Sequence, residues 1–100
     1  MSETTELTGP LCRALRAAGA LVFRMQSGKV KVKGGWMYLC PKGTADILCF
    51  PRGGDTVWIE TKIGKYGQSI DQRDFQIGVE AIDHRYVVAT TIDEGLAALK

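Results

Sequence analysis

The sequence is short of the residues that build zinc sites and disulfide frameworks. It has one histidine, His84, and three widely spaced cysteines, Cys12, Cys40 and Cys49, with no C-x-x-C. The odd count and the spacing exclude a disulfide scaffold and a structural zinc site, and predict reduced, mostly buried thiols in a cytosolic chain. No apolar run approaches the ~20 residues of a membrane span. The acidic, polar opening over residues 1–6 is the wrong flank for a secretory signal. There is no internal repeat, no low-complexity stretch and no interdomain linker, so one domain over residues 1–100 is expected, with no room for a separate nucleotide-cofactor domain. A chain of this size buries a modest core, and a second copy is an expected source of stability. At 45% hydrophobic residues the chain is not a disordered tail.

Acids are scarce where bases are plentiful. Residues 11–52 carry Arg13, Arg16, Arg24, Lys29, Lys31, Lys33, Lys42 and Arg52 against Asp46 alone, a net of +7, whereas residues 53–100 net −3 and the whole chain +2. A basic first half can form a positive face for a polyanion, and a solvated lysine-rich surface is the plain alternative.

Leu7, Leu11, Leu15 and Ala18 recur at helical spacing. Thr8 is expected to cap that helix, with Pro10 in its first turn and Gly19 at its end. Residues 20–25 read as a strand. Lys29-Val30-Lys31-Val32-Lys33 alternates with period two, so its lysines share a face. Gly34-Gly35 interrupts the pattern and residues 36–39 can resume it. Residues 45–50 and 56–62 read as strands joined by the Pro51–Asp55 turn, and residues 64–67 as a loop. Ser69-x-x-Gln72 is a capping box opening a helix of Ile70, Phe75, Val79 and Ile82. After a strand over 86–90, Thr91-x-x-Glu94 opens a last helix with Leu96 and Leu99. The order αβββαβα predicts an α+β fold with a mixed sheet flanked by helices. Residues 28–40 fit a hairpin, an exchanged arm or a loop.

Two of the apolar strands each carry an acid where a core residue is expected: Asp46 opens Ile47-Leu48-Cys49-Phe50, and Glu60 follows Val57-Trp58-Ile59. Charges seldom sit in such strands unless paired or metal-bound. Glu60 and Lys62 project on one side, about 7 Å apart along the strand. If the two strands pair across the Pro51–Asp55 turn, Asp46 lies beside Glu60. Two carboxylates and the adjacent Thr61 carbonyl suit a hard divalent cation with positions left for a phosphate oxygen and a water. Lys62 is then placed to orient or deprotonate that water, or to stabilise the transition state. The plain alternative is a Glu60–Lys62 surface pair.

The string Gly43-Thr44-Ala45-Asp46, thirteen residues, then Glu60-Thr61-Lys62 resembles the PD-(D/E)xK nuclease signature, with Ala45 where the nominal motif has proline. More narrowly, the chain resembles a stand-alone virus-type replication-repair nuclease (VRR-NUC) domain. The likeness runs through Glu6, Phe23-Arg24, Ser27-Gly28, Gly43-x-x-Asp46-Ile47-Leu48, Pro51-x-Gly53, Ile59-Glu60-Thr61-Lys62, Gly67-x-Ser69-x-x-Gln72-x-x-Phe75 and Tyr86-Val87-Val88. His84 stands where the family often has glycine.

The resemblance implies a restriction-endonuclease-like αβββαβ core with a C-terminal helix. It implies Mg²⁺ or Mn²⁺ held by Asp46, Glu60 and the Thr61 carbonyl, with Glu6 completing the site. Lys62 would be the catalytic lysine and Gln72 a helix glutamine beside the site. It further implies a phage- or bacteria-encoded homodimer that cuts branched DNA such as Holliday junctions, without membrane or nucleotide cofactor. Arg24, Lys29, Lys31, Lys33 and Lys42 become candidate phosphate contacts. Trp36 and Tyr38 are candidates for stacking on exposed bases, for a dimer interface or for core. The alternatives are a nuclease for flaps or linear DNA, a restriction-type enzyme, a non-catalytic DNA-binding module of the same fold, and an interaction protein whose E-x-K is chance.

Overall fold

The computed structural model describes residues 3–64 and 67–100. Lys65 and Tyr66, within the expected loop over 64–67, lie outside the described residues, as do Met1 and Ser2. The elements are α1 (Glu3–Ala17), β1 (Leu21–Arg24), β2 (Lys29–Val32), β3 (Gly35–Tyr38), β4 (Ile47–Phe50), β5 (Val57–Thr61), α2 (Ile70–Ala81), β6 (Arg85–Ala89) and α3 (Ile92–Ala97). Four strands form a mixed sheet in the order β1-β4-β5-β6, and β2-β3 is a separate hairpin inserted between β1 and β4. Without the hairpin the order is αβββαβα, an α+β arrangement compatible with a small nuclease-like core.

Alternation along the strands assigns the faces. Val22, Ile47, Cys49, Val57, Ile59 and Ala89 point to one side, against Leu11, Cys12 and Leu15 of α1 and Leu96, Ala98 and Leu99 at the end of the chain. Gly95 lets α3 approach α1, because a Cβ there would run into the fully buried Leu11 side chain. On the opposite side α2 lays Val79 and Phe75 on Trp58 and Tyr86, with Ala45 beneath. The rings of Trp58 and Phe75 meet edge to face at 5.0 Å. The strip of that face nearest the β1 edge is not covered: Leu21 is 60% exposed, Phe23 47% and Phe50 39%, with the two phenyl rings in edge contact.

Several local expectations are corrected. Thr8 does not cap α1. The helix starts at Glu3, so Thr8 lies inside it and is buried, and Pro10 sits mid-helix rather than in the first turn. Propensity and cap signals are weak beside the burial of Leu7 and Thr8, which holds the extra turn. Gly19 does close the helix, at φ 97°, with the Ala20 N–H donating back to the Leu15 carbonyl. Ile70 and Ile82 are not core: they are 81% and 68% exposed, and α2 buries Val79 and part of Phe75 instead. Lys33 leaves the strand for the Lys33-Gly34 turn, so only Lys29 and Lys31 share the strand face. The Ser69 box is complete. At α3, Thr91 caps Glu94, but the Glu94 carboxylate turns to the backbone N–H and hydroxyl of Thr90. Cys12 and Cys49 are buried and Cys40 half-buried, and all three are free thiols. Among the described residues no helix is long and apolar enough to cross a membrane.

Candidate active site

The hairpin turn between β4 and β5 sets the register Ile47↔Ile59, Leu48↔Trp58, Cys49↔Val57. Continued by one residue, it sets Asp46 beside Glu60, as the strand pairing requires. β5 then runs parallel to β6 through the crossover helix α2, so Glu60, Thr61 and Lys62 emerge at the carboxyl end of β5, where open sheets of this kind bind ligands. The same end of the sheet holds the last residue of β1, Arg24, paired with Ile47, and the first turn of α2.

Glu60 is 1% exposed. Its carboxyl is pushed up to about 8, first by burial, then by a hydrogen bond with and the charge of Asp46, against smaller opposing effects of Lys62 and Tyr86. The Tyr86 hydroxyl donates to Glu60 Oε2 at 3.3 Å, and Gln68 Nε2 donates to the Tyr86 oxygen at 3.1 Å. Burial and the neighbouring Glu60 push the Tyr86 phenol well above its usual range. Thr61 holds Asp46 through one oxygen. Its Oδ2 accepts from the Thr61 backbone N–H at 2.9 Å and the Thr61 hydroxyl at 2.8 Å. The Thr61 hydroxyl is 2.6 Å from that of Thr8. Because Thr61 gives its proton to Asp46, Thr8 is the donor of that second bond.

Lys62 is not bonded to either acid. Its Nζ donates to Gln72 Oε1 at 2.8 Å, and the same oxygen accepts the Ser69 backbone N–H at 2.9 Å. The capping glutamine of α2 thus also anchors the lysine. Among the described residues the ion pair within 4 Å is Lys42–Asp71, at 3.6 Å and largely exposed. Gly43 fixes α2 against the approach to Asp46. It has φ 94°, and a Cβ on it would overlap the Asp71 carbonyl.

Of the residues singled out in the sequence, Asp46, Glu60, Thr61, Lys62 and Gln72 converge. Glu6 does not join them as a third acid. It lies exposed on α1, and among the described residues no cluster of three or more His, Cys, Asp and Glu side chains forms a cation site. The helix runs through Glu6 and turns the Thr8 hydroxyl, two residues on, toward Thr61 instead. Arg24 borders the site, Lys42 lies on the turn leading to Asp46, and Lys29, Lys31 and Lys33 are exposed on the hairpin. His84 is exposed ahead of β6.

The residues that sequence reasoning missed are Thr8, Gln68, Tyr86 as a hydroxyl donor, and the Thr61 side chain. Only Tyr86, a polar-tipped residue in an apolar strand, carried a usable signal. Compared with models of protein families, with curated proteins and with solved structures, the chain gives no match.

Proposed function

We propose that this protein is a metal-dependent DNA endonuclease of the VRR-NUC kind, acting on branched DNA, with four-way junctions as the leading substrate and a homodimer as the working form. One observation carries the reading: two adjoining carboxyls, one fully buried, form no ion pair among the described residues, while the nearby lysine is held on a neutral amide. A structural ion pair would put Lys62 on Glu60. The arrangement instead leaves two acids that jointly need a positive charge, which is the donor set a hard divalent cation fits, with substrate phosphate and water supplying the rest.

Asp46, Glu60 and the Thr61 carbonyl would hold Mg²⁺ or Mn²⁺, which supplies Lewis acidity toward the phosphodiester and the attacking water. The chain's own residues prepare the site. Thr61, backed by Thr8, holds Asp46 through Oδ2. Tyr86 orients Glu60 through Oε2. Gln72 fixes the Lys62 ammonium by one of its three N–H bonds, leaving two to position a water or a phosphate oxygen. Arg24 and Lys42 add positive charge beside the acids for the flanking phosphates. The uncovered strip of Leu21, Phe23 and Phe50 supports the homodimer, since paired nicks across a symmetric junction call for two sites related by a two-fold axis.

The test is cleavage of a synthetic four-way junction, a flap, a linear duplex and a single strand, with Mg²⁺, Mn²⁺ or EDTA, by wild type and Glu60→Gln. Metal-dependent junction cutting that the variant loses while still binding DNA is the expected result. Cutting of flaps or linear DNA alone overturns the junction assignment. Junction binding without cutting under either metal overturns the nuclease and leaves a DNA-binding module.

A further inference from the structure

We infer that the β2-β3 hairpin is a stacking platform for unpaired bases, receiving a single-stranded stretch of the DNA whose phosphate backbone enters the carboxylate site. The inference rests on the nuclease reading for what happens to that strand, and on the hairpin alone for how it is held. Residues 28–40 contain three lysines and no acid. The register Lys29↔Tyr38, Val30↔Met37, Lys31↔Trp36 sorts the side chains onto two faces. One face carries Lys29, Lys31, Trp36 and Tyr38, and the other Val30, Val32 and Met37. Lys29 Nζ lies 4.7 Å from the Trp36 ring centroid, so one cation and one ring of that first face are in direct contact.

These rings do not serve the fold. Trp36 is 53% exposed and Tyr38 77%, and neither belongs to a core cluster. As residues i and i+2 of one strand they stand about 7 Å apart on the same face, so each can take a separate base, with the lysines between them for the phosphates. At the foot of the face an open recess of about 330 Å³ lies between Lys29, Tyr38, Pro41 and Lys42, within the size of small-ligand sites. Its mostly apolar lining suits the face of one base.

Charge and geometry select the occupant. An identical cationic face from a second copy is repelled. The interior bases of a duplex are already stacked on their neighbours, so only unpaired bases or the open base steps of a branch offer a free face. The hairpin is also rooted at the acids. The Met25 N–H donates to the Asp46 carbonyl at 2.7 Å, and Cys40 N–H to Gln26 and Leu39 N–H to Gly28 close the stem at 2.9 Å each. The stem that carries the platform therefore joins the sheet beside Asp46.

The experiment measures binding of a labelled oligothymidylate and of a blunt duplex of equal length in EDTA, where no cutting occurs. Wild type is compared with Trp36→Ala/Tyr38→Ala and with Trp36→Phe. Loss of both rings should weaken oligothymidylate binding by roughly 5- to 150-fold per stacked base while duplex binding stays near wild type. Trp36→Phe should keep the affinity but lose the quenching of tryptophan fluorescence that oligothymidylate causes in wild type, although Trp58 remains. Unchanged oligothymidylate binding in the double variant overturns the platform, as does an equal loss for both probes. A double variant that changes oligomeric state and binds both probes like wild type makes the face a contact between copies, and also overturns it. Junction cutting by wild type together with any of these results leaves the nuclease reading standing. Quenching by oligothymidylate with no cutting under either metal overturns that reading and keeps the platform.

Discussion

Replacing Glu60 by glutamine should make the metal-free protein more stable at alkaline pH, by an amount the site fixes. An ordinary glutamate ionises near 4.5, and in the folded chain Glu60 holds its proton to about 8. Below the lower value both folded and unfolded forms carry the proton, and Glu60 costs nothing. Between the two, the unfolded chain has released it and the folded chain has not, so stability falls as pH rises. Above about 8 the carboxylate is ionised in both, and the full penalty is present. A gap of about 3.5 units at ~1.4 kcal/mol each is on the order of 5 kcal/mol, a large share of the ~5–15 kcal/mol that holds a small domain together. Glutamine keeps an N–H for Asp46 and an oxygen for Tyr86, but has no proton to lose. Urea unfolding from about pH 5 to about 9 in EDTA should show the wild type losing stability relative to Glu60→Gln across that window. At the alkaline end, Mg²⁺ or Mn²⁺ should restore the wild type, by about 2.7 kcal/mol at a hundredfold excess over Kd, and not the variant. A difference between the two proteins that does not change with pH would refute the claim that Glu60 is protonated in the fold. A variant restored as strongly as wild type would remove Glu60 from the cation site.

Other perturbations test the supports of the site. Thr8→Val removes the donor to Thr61 without changing shape and should cost about 1 kcal/mol in urea unfolding, with Thr8→Ser restoring it; no loss would mean the hydroxyl chain to Asp46 contributes nothing. Gly43→Ala combines a positive φ with overlap on the Asp71 carbonyl and should cost roughly 2–4 kcal/mol. A thermal scan showing wild-type stability would mean the first turn of α2 can move away freely. Lys31→Ala/Lys33→Ala should lower the slope of log K against log salt for duplex DNA by about 2, and an unchanged slope would take the hairpin out of the phosphate footprint.

What could be read from the sequence follows from how local each signal is. The strands of the main sheet, the Ser69 box and the Gly19 stop are written within a few residues, and they stand in the structure. The pairing of Asp46 with Glu60 needed only a short turn to bring two adjacent strands together. Thr8 was misread because a threonine ahead of an apolar period is the usual start of a helix. Only the docking of Leu7 and Thr8 on the sheet, far along the chain, shows that α1 begins earlier. The same shift leaves Glu6 exposed rather than at the acids. Ile70 and Ile82 fit the helical period, yet the face of α2 is chosen by Trp58 and Tyr86, and that choice exposes both ends. Tyr86 shows locally only a polar tip in an apolar strand, and its reach to Glu60, 26 residues away, is set by the pairing of β5 with β6.

The position of Lys62 speaks against a structural ion pair with Glu60. Burying Glu60 beside Asp46 opposes folding, and the chain has a cation two residues away that would relieve it. That cation is instead held on Gln72, whose oxygen already accepts the N–H of Ser69, the N-cap of α2. If the acids served the fold alone, an apolar pair of similar volume would serve it better, and Lys62 would relieve Glu60 more fully in contact than from its place on Gln72. A charge brought in with the substrate accounts for both features at once. On the proposed reading the acids await a cation and the substrate phosphate, and Lys62, held on Gln72, has two further N–H bonds to offer them.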